Sequence, residues 1–151
     1  MVLHEERRMI ADYGRKMLNE GLVRGTGGNI SILNDDEGLV AISPSGIPYE
    51  EIEAEDVAVV DRDGTQVEGR KKASSELPMH LILLNNREDF SSVVHTHSAY
   101  AAAYSCLRKD LPPIYYLMLV TGGEVRCADY ALNGSQRLAE NALHAIVDRS
   151  A

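Results

Sequence analysis

The chain is predicted to fold as an α/β protein with a mixed, largely antiparallel sheet covered by helices. Three observations predict it. First, two hairpin patterns fill the first half: apolar runs at 29–33 and 39–42 flank the acidic turn Asn34-Asp35-Asp36-Glu37-Gly38, and runs at 57–60 and 65–67 flank Asp61-Arg62-Asp63-Gly64. Second, helical periods punctuate the second half. Third, the glycine cluster Arg24-Gly25-Thr26-Gly27-Gly28-Asn29 fails as a dinucleotide loop. Its third glycine would fall at Ile30, and a strand follows where a helix is required. Hairpins with interspersed helices favour an antiparallel sheet over a doubly wound parallel one.

Residues 4–20 read as an amphipathic helix with Met9, Ile10, Tyr13, Met17 and Leu18 on one face, stopped by Gly21. The two hairpins follow, separated by a loop at 43–48. A helix is expected from about 75 to 84, where Pro78 is tolerated because it sits in the first turn. A strand through His95 and His97 comes next, then a short alanine-rich helix capped by Ser98. Strands are expected near 114–120 and 124–127. Ser135 opens a final helix whose apolar positions Leu138, Ala142, Leu143 and Ile146 keep a helical period. No internal repeat, low-complexity tract or linker interrupts the chain.

With 151 residues, 44% of them hydrophobic and 25% charged, the composition is that of one ordinary globular domain. The formal net charge of −8 argues against nucleic acid as the main partner, because phosphate backbones need a basic face. It does not exclude a small phosphorylated ligand held by a few N–H groups. No apolar run is long enough to cross a membrane, and the charged start lacks a signal-peptide core, so a cytoplasmic protein is expected. Cys106 and Cys127 have no metal-type spacing and are expected as buried free thiols.

The segment Val93-Val94-His95-Thr96-His97 carries the clearest chemistry. Residues i and i+2 of a strand share a face, so His95 and His97 can offer two imidazoles to one metal ion. Plain packing on a half-buried strand also produces this spacing. Glu76 fits a first-turn helix stabiliser, or a carboxylate facing a metal as ligand or general base. His80 lies four residues later on the same helix face and reads as a packed or supporting histidine rather than a ligand. Three small-residue segments can hold an anion: Gly27-Gly28-Asn29, Ser43-Pro44-Ser45-Gly46 and Ser74-Ser75-Glu76. Each alone is equally a turn or a cap. Of Tyr115 and Tyr116, one is expected in the core and the other can offer a phenolic proton. His4 and His144 have solvent-facing patterns and no role. Lys71, Lys72 and Lys109 stand in charged or loop contexts, so no Schiff-base amine is indicated.

The order Gly-Gly-Asn-Ile-Ser, Ile-Ser-Pro-Ser-Gly-Ile-Pro-Tyr, Ser-Ser-Glu-Leu-Pro-Met-His and Val-Val-His-Thr-His-Ser resembles the zinc-dependent class II sugar-phosphate aldolases. It lies on the fuculose-1-phosphate side of a family that also holds the ribulose-5-phosphate 4-epimerases and the adducin head. The resemblance implies a three-layer α/β/α fold over residues 1–151 and a tetramer with sites between subunits. It implies Zn²⁺ on His95, His97 and Glu76, with Glu76 also shuttling a proton. Gly28, Asn29, Ser45, Gly46, Ser74 and Ser75 would cradle the substrate phosphate, and Tyr116 would protonate the leaving aldehyde oxygen. The implied reaction is reversible cleavage of a ketose 1-phosphate to dihydroxyacetone phosphate and an aldehyde. An epimerase or dehydratase, or a metal-free adducin-like interaction module, are the alternatives. The family's third zinc histidine lies in a later strand, so the chain is expected either to be truncated at its C-terminus or to be completed by another chain, with weak zinc binding and little activity alone.

Overall fold

The computed structural model describes all 151 residues. Strands β1 (Asn29–Asn34), β2 (Leu39–Ile42), β3 (Ala58–Asp61), β4 (Gln66–Glu68) and β5 (Ser92–His95) form one sheet in the order β4-β3-β2-β1-β5. The first four are successive hairpin neighbours. Helix α2 (Leu77–Asn86) then carries the chain across the sheet, so that β5 pairs with the free side of β1. Every pairing is antiparallel, and no parallel strand makes the sheet mixed. Helix α3 (Ala99–Ser105) follows β5, and α4 (Gln136–Ala145) packs on α2. The Ser135 hydroxyl caps α4 by accepting from the Leu138 N–H at 3.2 Å, as its position in the sequence predicts.

Strand alternation divides the core into two faces. Ile30, Ala41, Val57 and Val59 pack beneath α1 (His4–Asn19) with Ile10, Ala11, Met17 and Tyr49. Leu33, Val40 and Val60 pack on the other face against Leu81 and Leu84 of α2. The result is three layers: α1, the sheet, and α2 with α4.

The buried stripe of α1 differs from the expected one. It consists of Arg7, Ile10, Ala11, Gly14 and Met17, whereas Met9 and Tyr13 are exposed. Arg7 is buried because its guanidinium is fully used: it donates to the Ala54 and Glu55 carbonyls at 2.8 and 3.1 Å and pairs with Glu68 at 2.8 Å. Gly14 takes an apolar residue's place because the Tyr49 ring lies against it. A Cβ there would stand 2.3 Å from Tyr49 Cδ1.

The expected strands at 114–120 and 124–127 do not form. Tyr116–Thr121 is a 3-10 helix, and the second segment makes only the isolated bridge between Leu111 and Val125. A short apolar run fits either conformation, and here no neighbouring strand is in place to pair with it. Beyond Leu84 only Ala139 is buried. Cys106 is accordingly exposed and Cys127 half-buried, both as free thiols, which corrects the expectation of burial. No helix is long and apolar enough to cross a membrane.

The Gly14 contact generates a prediction. Gly14→Ala should destabilise the protein by about 1–3 kcal/mol, the usual cost of overpacking a close-packed site. Thermal or urea denaturation measures it, and unchanged stability would mean that the Tyr49 ring can move away freely.

Candidate metal centre

Backbone register builds the site. Ile30 and Ile32 point toward α1, so Asn29 and Ser31 point toward α2. In the β1–β5 ladder Asn29 stands opposite His95 and Ser31 opposite Val93. Gly28 allows this close approach: its φ is +74°, and a Cβ would lie 2.6 Å from the His95 carbonyl oxygen. From the other face the Tyr49 hydroxyl donates to the Gly28 carbonyl at 2.8 Å. Burial pushes the Tyr49 phenol up to about 12, so the group remains a donor.

Glu76 and His80 come from the start of α2, one helical turn apart. The helix begins at Leu77, two residues later than expected, with Glu76 at its N-cap. The Glu76 side chain makes no cap bond; it turns into the cleft instead. Ser74 Oγ accepts the Glu76 N–H at 3.2 Å, so Ser74 has a local turn role beside any ligand role. Pro78 sits in the first turn, as predicted.

In the cleft Glu76 Oε2 accepts from Asn29 Nδ2 at 2.8 Å and lies 2.8 Å from His95 Nδ1. His97 completes the group, its ring centroid 4.9 Å from that of His95. Strand β5 stops at His95, two residues short of the prediction; His97 lies just beyond, its N–H donating to the Leu22 carbonyl at 2.9 Å. The ligand atoms of Glu76, His95 and His97 all fall within 4.8 Å of one another. Two imidazoles and a carboxylate are a donor set suited to a divalent transition metal, and three protein ligands with an open position is the usual form of a catalytic zinc site.

Behind these groups lies an arrangement that the sequence reading only partly anticipated. His80 is fully buried, with Nδ1 2.6 Å from Ser31 Oγ and Nε2 2.5 Å from Asn29 Oδ1. Ser31 is not among the residues the sequence marks, although its place two residues after Asn29 on one strand face is a usable signal. His80 is thus packed and hydrogen-bonded within the protein, in keeping with the packed alternative of the sequence reading. Burial, reinforced by the nearby His95, pulls its pKa from the ordinary 6.5 down to about 3, so the ring is neutral. Glu76 moves to about 2, chiefly through its hydrogen bond with His95 and then that with Asn29, against the opposing effect of burial.

The three small-residue segments also meet. Ser43 exchanges bonds with Ile30, whose N–H reaches Ser43 Oγ at 3.0 Å and whose carbonyl accepts the Ser43 N–H at 2.9 Å. The Ser74 N–H donates to the Ser43 carbonyl at 3.1 Å, and the Ser45 N–H to the Lys72 carbonyl at 3.0 Å. Gly28–Asn29, Ser45–Gly46 and Ser74–Ser75 therefore flank one another, with Ser45, Gly46 and Ser75 exposed. Tyr116 does not join them. It is 70% exposed, makes no hydrogen bond to the cluster, and stacks edge-on against Tyr115, itself exposed rather than in the core.

The two depressed pKa values in this cluster contribute a pH dependence to stability. Unfolded protein takes up a proton on His80 near pH 6.5 and on Glu76 near 4.5, whereas the native state resists until about 3 and about 2. Between these limits the unfolded state binds more protons, so stability is fully present above about pH 6.5 and falls steadily on acidification. His80→Gln should flatten the dependence between pH 6.5 and 3 in denaturation experiments. An unchanged slope would show that the ring titrates normally.

Comparison with known proteins identifies the domain. Residues 8–151 match the model of the Class II Aldolase and Adducin N-terminal domain. The 5-deoxy-D-ribulose 1-phosphate aldolase of Bacillus thuringiensis serovar kurstaki is 50% identical over 151 residues, which are all of this chain and 71% of that protein. The L-fuculose phosphate aldolase of Escherichia coli K12 is 37% identical over 145 residues, 95% of this chain and 66% of the relative. A solved L-fuculose 1-phosphate aldolase superposes with a TM-score of 0.95 at 40% identity, covering 99% of this chain and 70% of the other. The chain thus spans about two thirds to seven tenths of the length of these relatives. On the matched domain, the shared architecture and the relatedness over nearly its whole length, the chain belongs to the class II aldolase and adducin family.

Proposed function

We propose that the protein is a metal-dependent aldolase that reversibly cleaves a ketose 1-phosphate to dihydroxyacetone phosphate and an aldehyde. The observation that carries this reading is the convergence of Glu76, His95 and His97 within 4.8 Å beside the three flanking small-residue segments. The named substrates of its relatives, fuculose and 5-deoxyribulose phosphates, support the substrate class. The gathering of three metal donors favours an enzyme over a metal-free interaction module.

His95, His97 and Glu76 would hold the ion, zinc by the family resemblance. When bound it supplies Lewis acidity to a carbonyl oxygen and offsets the negative charge that develops as the carbon–carbon bond breaks. The chain's own residues do the rest. Gly28, Asn29, Ser45, Gly46, Ser74 and Ser75 bind the phosphate end and fix the substrate's orientation. Glu76 is held ionised by His95 and Asn29, the state in which a proton acceptor must start. Its Oε2 is occupied by those two partners, so Oε1 is the oxygen open to the metal at rest and to the proton during turnover. Tyr116 donates a proton to the aldehyde oxygen. Its exposure suits a residue that serves a neighbouring copy's site. A small phosphorylated sugar as partner, a cytoplasmic setting and assembly as a homo-oligomer, a tetramer by resemblance, complete the reading.

His95→Ala and His97→Ala should each remove bound zinc and aldol cleavage while leaving the fold intact, because both rings line a cleft. Zinc content after dialysis against a mild chelator checks this, and wild-type content in either variant refutes the shared site. Glu76→Gln should keep the fold and phosphate binding but lose about 10²–10⁴-fold in turnover, the usual contribution of a general acid–base group. The assay is dihydroxyacetone phosphate release from ketose 1-phosphates, and unchanged turnover would reduce Glu76 to a helix-terminus residue.

A further inference from the structure

His80 is the most deeply buried ionisable ring in the protein, and the proposed reaction does not use it. Its surroundings explain why a histidine stands there. The Asn29 side chain has two ends of nearly equal shape, an oxygen and an NH₂, and can fit its space either way round. Its neighbours make opposite demands. Glu76 Oε2, a carboxylate oxygen, accepts only, so Nδ2 must face it at 2.8 Å. Oδ1 is then left facing His80 Nε2 at 2.5 Å, with His95 Nδ1 at 3.2 Å. An oxygen requires a donor, so the neutral His80 ring must carry its one proton on Nε2. Nδ1 is then an acceptor, and the Ser31 hydroxyl at 2.6 Å donates to it. With the proton on Nδ1 instead, two lone pairs would oppose each other at Asn29 Oδ1. Turning the amide over would relieve that clash only by setting Oδ1 against the Glu76 carboxylate.

We propose that His80 is a positioning residue: as the Nε2–H tautomer, seated by Ser31, it locks the Asn29 amide and through it the Glu76 carboxylate against His95. The arrangement follows from two periodicities meeting. Asn29 and Ser31 are two apart on a strand face, Glu76 and His80 four apart on a helix face, and the two pairs lie side by side. The effect on turnover rests on Glu76 being the working carboxylate; the effects on tautomer and metal affinity do not.

Three measurements test it. Long-range ¹H–¹⁵N correlation spectra of ¹⁵N-histidine-labelled wild-type protein should show one ring with Nε2 protonated and Nδ1 bare, its signals absent from the His80→Gln variant. The opposite tautomer, or an imidazolium, at neutral pH overturns the proposal without any variant having to fold. Zn²⁺ titration against a chromophoric chelator should show His80→Leu weakened about 10–100-fold, the usual effect of losing an outer partner of a metal ligand. His80→Gln, whose amide N–H can take the place of Nε2–H, should recover most of that loss. Wild-type affinity in folded His80→Leu, or no recovery by His80→Gln, refutes the positioning role. In the aldol assay the same pair should separate in kcat by a similar factor, with His80→Gln recovering most of the loss. A wild-type protein that shows the tautomer and the affinity pattern but cleaves no ketose phosphate supports the lock and refutes the proposed function.

Discussion

The structure depends on the antiparallel pairing of β1 with β5 in the register that sets Asn29 opposite His95. That pairing joins the first strand of the sequence to the last, and it decides which side chains share a face. A slip of one residue would turn Asn29 and Ser31 toward α1 and bring Ile30 against α2. Gly28 permits the pairing by leaving no Cβ near the His95 carbonyl, and Tyr49 holds the Gly28 carbonyl from the opposite side. Because the Tyr49 ring rests on Gly14, even the first helix bears on where Asn29 stands.

Around this register the fold encloses a polar cluster next to an apolar one. Leu33, Val40, Val60, Leu81 and Leu84 form the core on the α2 face, and Ser31, Asn29, His80 and Glu76 continue the same face toward the cleft. Burying such groups is costly unless each finds a partner. Here every one does: no buried side-chain nitrogen or oxygen in the protein lacks a hydrogen-bond partner. A partly satisfied network in this position would be worse than hydrocarbon, so the cluster is rigid because each member fixes the next. The rigidity runs toward the cleft, where His95, His97 and the free oxygen of Glu76 face outward.

Burial is uneven along the chain. Of the 30 buried residues all but Ala139 lie before β5, in the sheet, in α1 and α2 and in the loops beside them. Ile114, Leu119 and Val120 are each more than three-quarters exposed, so the apolar run expected as a strand lies on the surface, its part from Tyr116 as a 3-10 helix. The same unevenness explains the thiols. Cys106 and Cys127 belong to the thinly covered part, and an apolar residue type alone does not bring a core with it.

The sequence by itself determined the hairpins, α1, α2 and α4, the layered α/β class, and the candidate donors Glu76, His95 and His97. Each of these is written in local terms: alternation, helical period, a capping serine, and the two-residue spacing of histidines. Only the tertiary structure decided which face of α1 is buried, because that depends on Arg7 meeting Glu68 and on Gly14 meeting Tyr49, residues 61 and 35 positions away. It alone decided that β5 ends at His95 and that every strand pair is antiparallel. It alone joined Ser31 to His80 and His80 to Asn29, since a hydrogen bond across about fifty residues leaves no periodic trace in either segment. Local spacing is legible because backbone geometry repeats, whereas a contact between distant segments exists only once the chain has closed around it.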